Sequence, residues 1–257
     1  GCRAYTDVRD LIGNVDAISI VVPTVYHSEV ARPFLEKGVH MLMEKPIAPT
    51  YEESRVLVEL AERAGVIFQV GHLERFNAGI MALAERAQNP RFIEMHRLGP
   101  FVARATDVDV VTDLMIHDID IVLSLVKSNI RNIAATGIPV LTEHVDIANA
   151  RIEFENGAVA NVTASRVSNK KLRRIRIFGA EHYYGLDYID QKLEMVRSEP
   201  DTDGGKWPRI VTEQLDITPR PPLDAELEYF VKSVRTGTPP LVTGRVGLEA
   251  LRVALLV

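Results

Sequence analysis

Three short apolar runs, separated by stretches of helical periodicity, constrain this chain more than any other feature. Residues 17–22 (Ala-Ile-Ser-Ile-Val-Val) lie between Asp16 and Pro23, 39–43 lie between Gly38 and Glu44, and 66–70 lie between Gly65 and Gly71. Short apolar runs without clean alternation suit parallel strands buried on both faces. Helical periodicity over 27–37 stops at Gly38. A second helix is expected over 50–64, where Thr50 and Glu53 make a capping box and Gly65 a stop signal. A short helix over 7–13, ended by Gly13, precedes the first run. Strand, helix, strand, helix, strand in roughly fifty residues predicts a doubly wound α/β layer.

After Gly71 the rhythm changes. A helix is expected over 78–88, a strand over 92–98 and an amphipathic helix over 113–126. Strands then follow over 133–136, 147–154, 158–165, 173–178, 183–188 and 192–197. Asn156-Gly157 is a strong hairpin turn. Arg151-Ile-Glu-Phe-Glu alternates as a strand with one buried face does. The Gly, Pro and Asp content of 201–208 and 218–222 marks loops, and helices close the chain over 224–236 and 247–256. The fold class is therefore α/β: a partial doubly wound piece joined near 71–77 to an α+β domain with an open, mostly antiparallel sheet. The expected division is 1–73 and 74–257.

Several function classes are excluded or disfavoured. A net charge of −5 and a pI near 5.9 argue against a general nucleic-acid or acidic-membrane surface. The apolar runs are too short to span a bilayer. The single cysteine, Cys2, excludes an intrachain disulfide and a cysteine-based zinc site. No metal-ligand cluster stands out, and a cytoplasmic protein is expected.

Two motifs carry chemistry. Glu44-Lys45-Pro46 places a lysine at a strand end, where α/β sheets form their ligand crevice. Asp113-Leu-Met-Ile-His117-Asp118 places a carboxylate and an imidazole four apart, on one face of a helix. Lysine, aspartate and histidine are suited to taking a proton from an alcohol. Asp113 is also a candidate N-cap, with Asp118 and Asp120 structural or solvated. Thr24 and His27 open the helix after the first strand, where free N–H groups approach ligands. Lys170-Lys171-Leu-Arg173-Arg174-Ile-Arg176 reads by default as a solvated sheet edge, with a substrate-phosphate site as the sharper alternative.

In chain order, Pro23-Thr24-Val-Tyr-His27, Glu44-Lys45-Pro46, Gly71-His72-Leu-Glu-Arg75-Phe76-Asn77 and Asp113-x-x-x-His117-Asp118 resemble the motifs of the glucose-fructose oxidoreductase / inositol dehydrogenase (Gfo/Idh/MocA) family along essentially the whole chain. The resemblance implies that 1–73 is the C-terminal part of a dinucleotide-binding Rossmann domain and 74–257 a substrate-binding and oligomerisation domain. It implies hydride transfer between NAD, or alternatively NADP, and a secondary hydroxyl of a sugar or nucleotide sugar. Within the family, Gly71-His-Leu-Glu-Arg-Phe-Asn77 and Phe92-Ile-Glu-Met-His-Arg-Leu-Gly-Pro-Phe101 look like a branch similar to the nucleotide-sugar 3-dehydrogenases, including those that oxidise UDP-N-acetylglucosamine. Lys45, Asp113 and His117 are the catalytic candidates: His117 as general base, Asp113 to orient it, and Lys45 to hydrogen-bond the developing alkoxide. Pro23, Thr24, His27, Glu44, Lys45, Pro46 and Arg75 are the cofactor-binding candidates. Lys45, Arg97 and His117 are the substrate-binding ones. Pro46 is the position at which the family has a cis peptide bond. A homodimer or homotetramer through the C-terminal sheet is implied as well. No Gly-x-Gly-x-x-Gly occurs at a strand-to-helix turn, and the resemblance places Gly1 just before the third strand of the fold, about 60 residues in. The alternative from another class is a non-catalytic dinucleotide-sensing or partner-binding protein on the same scaffold.

Overall fold

The computed structural model describes residues 3–102, 108–180, 182–200 and 207–257. Cys2 and most of the loop expected over 201–208 lie outside them. The chain divides into two compact units, Gly1–Leu73 with Leu223–Arg252, and Glu74–Pro222 with Val253–Val257. Most residues of the closing helices belong to the first unit, whereas the linear division at 73/74 groups them with the second.

In the first unit, β1 (Ala17–Ile20), β2 (His40–Glu44) and β3 (Phe68–Gly71) form a parallel sheet in that order, with Ala17 opposite His40 and Glu44 opposite Gly71. β2 is central and buries Met41, Leu42 and Met43. β1 is shorter than its apolar run suggested, because Val21 and Val22 leave the ladder and are exposed. Helices α1 (His27–Glu36) and α2 (Tyr51–Ala64) follow β1 and β2. Thr50 caps α2 by accepting from the N–H of Glu53 at 3.2 Å, and Gly65 ends it in the left-handed conformation at φ +66°. The expected first helix is a 3₁₀ turn over Val8–Leu11.

Two further helices, α5 (Pro222–Thr236) and α6 (Gly244–Ala254), close the chain. Thr243 bridges to Gln69 of β3, and the N–H of Val70 donates to the carbonyl of Val242 at 3.0 Å. Those backbone bonds between remote segments bring α5 and α6 back to the first unit. Helix periodicity carries no information about such long-range pairing.

In the second unit, α3 (Ala78–Arg86) is capped by Asn77, whose side chain accepts from the N–H of Gly79 at 2.9 Å. The sheet comprises β4 (Phe92–Leu98), β5 (Ile130–Ile138), β6 (Ile147–Phe154), β7 (Val159–Ser165), β8 (Leu172–Phe178), β9 (His182–Asp187), β10 (Lys192–Glu199) and β11 (Arg209–Leu215). Their order is β11-β10-β9-β8-β4-β7-β6-β5, antiparallel except for the parallel pair β4–β7. Ile93, Met95, Ala150, Ile152, Val162, Ile175 and Ile177 line its buried face. Helix α4 (Ile116–Leu125) packs on β4 and β7, and α3 packs on β9 and β10. Strand β11 was not anticipated: its Thr-Glu-Gln content and exposed edge position leave little apolar pattern to read. The basic run also differs from expectation. β8 lies inside the sheet, not at an edge, and Arg173, Arg174 and Arg176 pair with Glu74, Glu194 and Glu94. Those carboxylates offset the charge of the three arginines, which disfavours a phosphate site on them. Among the described residues, no helix is long and apolar enough to cross a membrane.

Candidate active site

The first unit gathers its candidates at the carboxyl ends of its strands, where parallel sheets present ligands. Pro23 precedes a 3₁₀ turn over Thr24–Tyr26 that leads into α1, with Val25 and Tyr26 exposed. Glu44 ends β2, and the following Lys45–Pro46 peptide is cis. Glu44, Lys45 and Pro46 are all half-buried. Gly71 lies directly beside Glu44, and a Cβ there would approach its Oε2 to 3.1 Å and its Cα to 3.3 Å, so the two strand ends meet closely only because residue 71 has no side chain.

His27 opens α1 as expected, with its side chain turned inward. Its ring is 1% exposed, with Nδ1 at 3.0 Å from the carbonyl of Pro46 and Nε2 at 2.9 Å from that of Val22. The imidazole ties the end of β1 to the Lys45–Pro46 turn. Its ring nitrogens face backbone carbonyls, so the side chain supports the loop.

In the second unit, Asp113 and His117 lie on a helix that opens as a π turn over Val111–Met115 and continues as α4. The N–H of Ile116 reaches back five residues to the carbonyl of Val111. Such widened turns concentrate at functional sites. The uniform α-helix expected over 113–126 is therefore corrected at its start. The capping residue is Asp109, not Asp113: its carboxylate accepts from the N–H of Thr112 at 2.8 Å and from the Thr112 hydroxyl at 3.1 Å. Thr112, Asp113, Leu114 and His117 are half-buried, whereas Met115, Ile116 and 118–122 are buried. Asp113 and His117 thus occupy the accessible side of an otherwise enclosed segment.

The residues flanking His117 form buried ion pairs. Asp118 is wholly buried and takes the Nε and Nη2 groups of Arg97 at 3.0 and 2.7 Å, as well as the hydroxyl of Tyr188 at 2.9 Å. Arg97 also donates to Glu74 at 3.0 Å, which Arg173 meets at 2.8 Å. The four charges cancel. Burial opposes the charge on Arg97, but Asp118, Tyr188 and Glu74 outweigh it and hold the guanidinium above its ordinary range. Burial, reinforced by Asp118 and Glu74 against the opposing pull of Arg97, raises the Tyr188 hydroxyl as well. Arg97, a substrate-contact candidate, is 3% exposed, and its pair with Asp118 ties α4 to β4. Arg75, a cofactor-contact candidate, is half-buried. Arg75 pairs with Asp120 at 3.3 Å within the same unit, and Asp120 is buried, which fits the structural one of its two expected places. Among the described residues, no group of three or more His, Cys, Asp or Glu is placed to hold a metal ion.

Residues 1–72 match the model of an oxidoreductase family with an NAD-binding Rossmann fold, and residues 85–184 match the Gfo/Idh/MocA C-terminal domain. The UDP-N-acetylglucosamine 3-dehydrogenase of Acidithiobacillus ferrooxidans is 36% identical over 257 residues, covering 100% of this chain and 82% of that protein. Its solved structure superposes with a TM-score of 0.92 at 35% identity, over the same shares of the two chains. The myo-inositol 2-dehydrogenase of Thermotoga maritima is 26% identical, over 97% of this chain and 79% of its own. With two domain matches in order and this identity along its whole length, the chain belongs to the Gfo/Idh/MocA family of NAD-binding oxidoreductases and is a dehydrogenase acting on CH–OH groups.

Proposed function

We propose that the chain oxidises a secondary hydroxyl of a nucleotide sugar, of the UDP-N-acetylglucosamine class and at C3, with NAD as hydride acceptor. The observation that carries the proton-transfer part is the half-buried pair Asp113 and His117, on a helix whose neighbouring carboxylates are already committed to Arg97 and Arg75. The substrate class rests on the identity to the Acidithiobacillus ferrooxidans enzyme across the full chain.

In this reading His117 takes the hydroxyl proton and Asp113 orients its ring. The Lys45 ammonium donates a hydrogen bond to the reacting oxygen as negative charge builds on it. The donor set at the strand ends fits the nicotinamide-ribose half of NAD: the Thr24 hydroxyl, the Glu44 carboxylate and the Lys45 ammonium offer hydroxyl- and amide-binding groups beside exposed Val22 and Val25. Bound NAD supplies the hydride acceptor. Pro23 and Pro46 shape the two loops that present these groups.

The test is His117→Ala, assayed by NADH formation with UDP-N-acetylglucosamine. Turnover should fall by about 10²–10⁴-fold, while NAD affinity by titration calorimetry stays within about twofold of wild type. Unchanged turnover refutes the role of His117. Faster turnover of free myo-inositol than of the nucleotide sugar refutes the substrate class.

A further inference from the structure

We propose that Asp146 and Arg166 form a positioning strut that sets the π turn carrying Asp113 and leading to His117. The inference rests on the reading of Asp113 and His117 given above.

Asp146 follows the β5–β6 loop and is wholly buried. Its Oδ2 accepts from three successive backbone N–H groups, those of Val140, Leu141 and Thr142, at 2.8, 2.6 and 2.9 Å. Its Oδ1 accepts from the Thr142 hydroxyl at 2.9 Å and from Nε of Arg166 at 2.7 Å. The backbone closes the same loop: the N–H of Asp146 donates to Ile138, and its carbonyl accepts from the N–H of Arg166, both at 3.0 Å. Burial alone would raise the Asp146 carboxyl. The three N–H groups and Arg166 overcome that and hold it far below the ordinary carboxylate range, so it remains charged at any working pH.

The buried Arg166 carries this rigidity to the active-site helix. Its Nη1 donates to the carbonyl of Val108 at 2.8 Å, and its Nη2 donates to the Thr142 hydroxyl at 3.0 Å. The N–H of Val110 donates to the carbonyl of Val145 at 2.9 Å. Residues on both sides of Asp109 are thereby fixed to the loop that Asp146 organises. Asp109 in turn starts the π turn, its carboxylate taking the N–H of Thr112 and its carbonyl the N–H of Asp113, the latter at 3.1 Å. Chain geometry thus runs from Asp146 through Arg166 and Asp109 to Asp113 in hydrogen bonds of 2.6–3.1 Å. The guanidinium reaches three acceptors at once. A lysine keeps the charge but lacks the planar fork needed to span them.

The experiment is a double-mutant cycle between Arg166→Lys and His117→Ala, measured as kcat and KM for the purified protein with NAD and UDP-N-acetylglucosamine. Arg166→Lys should lower kcat about 10–100-fold, the scale of a misplaced reacting group, with KM changing less than about threefold. In the His117→Ala background it should cost less than about twofold, because the group it positions is gone. Amide exchange at 112–117 should rise in Arg166→Lys. A kcat within twofold of wild type, or an equal loss in both backgrounds, overturns the strut. Full turnover of His117→Ala alone instead overturns the underlying reading. Thr142→Val keeps both charges and removes only the shared hydroxyl. A several-fold loss of kcat at constant KM supports the strut even where Arg166→Lys folds poorly, and wild-type kcat there counts against it.

Discussion

Replacing Glu226 by glutamine should make the protein more stable and remove a pH dependence that the structure builds in. Glu226 lies on α5, is 1% exposed, and its Oε1 meets no donor among the described residues. Burial first, and the charge of Glu44 second, push its carboxyl from 4.5 up to about 8. Between those values the folded chain keeps a proton that the unfolded chain has released. Native stability therefore falls as pH rises through this window. Below about pH 4.5 the group is protonated in both states and contributes nothing. Above pH 8 the full penalty is present. One pH unit inside the window is worth about 1.4 kcal/mol, and integration from pH 5 to pH 7 gives a relative loss of about 2.5 kcal/mol. Glutamine keeps the shape and does not titrate. Urea unfolding followed by far-ultraviolet circular dichroism, at pH values from 5 to 9, measures the difference. Trp207 is 76% exposed and would report poorly by fluorescence. The stability advantage of Glu226→Gln should grow by about 2.5 kcal/mol between pH 5 and pH 7 and level off above pH 8. Parallel curves for the two proteins would refute the buried, protonated carboxyl.

Two further substitutions test the packing that holds the candidate residues. Arg97→Met leaves Asp118 buried without its cation and should destabilise the second unit by about 3–5 kcal/mol. Adding Asp118→Leu should recover most of that in urea titrations, and a loss below about 1 kcal/mol from the single change would show that the pair does not anchor α4. Gly247→Ala would put a Cβ 2.7 Å from Cγ2 of the buried Val70 and should cost about 1–3 kcal/mol by overpacking. Combining it with Val70→Ala should relieve part of the strain, and an unchanged thermal midpoint in Gly247→Ala would show that α6 does not close on β3 as described.

The local elements were legible because their signals are local. Thr50, Glu53 and Gly65 bracket α2 by capping chemistry alone, and Asn156-Gly157 turns β6 into β7 with Gly157 at φ +84°. Where pairing decides the structure, the sequence was mute. Nothing in 209–215 announces an edge strand. The strand order that places β8 between β9 and β4 turns a basic run from a supposed edge into an interior ladder of ion pairs. The return of α5 and α6 depends on Thr243 meeting Gln69, some 170 residues earlier.

The candidate site divides along the same line. Lys45, Asp113 and His117 are candidates from short motifs, because the proposed chemistry requires particular residue types at fixed spacing. Their supporting residues could not, because a support is defined by what it touches. Arg97 and Arg75 look like ligand-binding arginines in the sequence, yet each is held by an aspartate one or three residues beyond His117. Asp146 and Arg166 sit in unremarked positions, and their partners lie in three separate segments. Charged residues near a reacting group thus serve two ends that only geometry separates. In the proposed reading the half-buried groups on the accessible side of the helix handle the proton, and the buried ones cancel one another and tie the helix to its unit. The enclosed pairs at Asp118 and Asp120 and the proposed strut at the π turn hold this helix on either side of His117, an arrangement that suits the proposed proton acceptor, which must keep one position through repeated turnover.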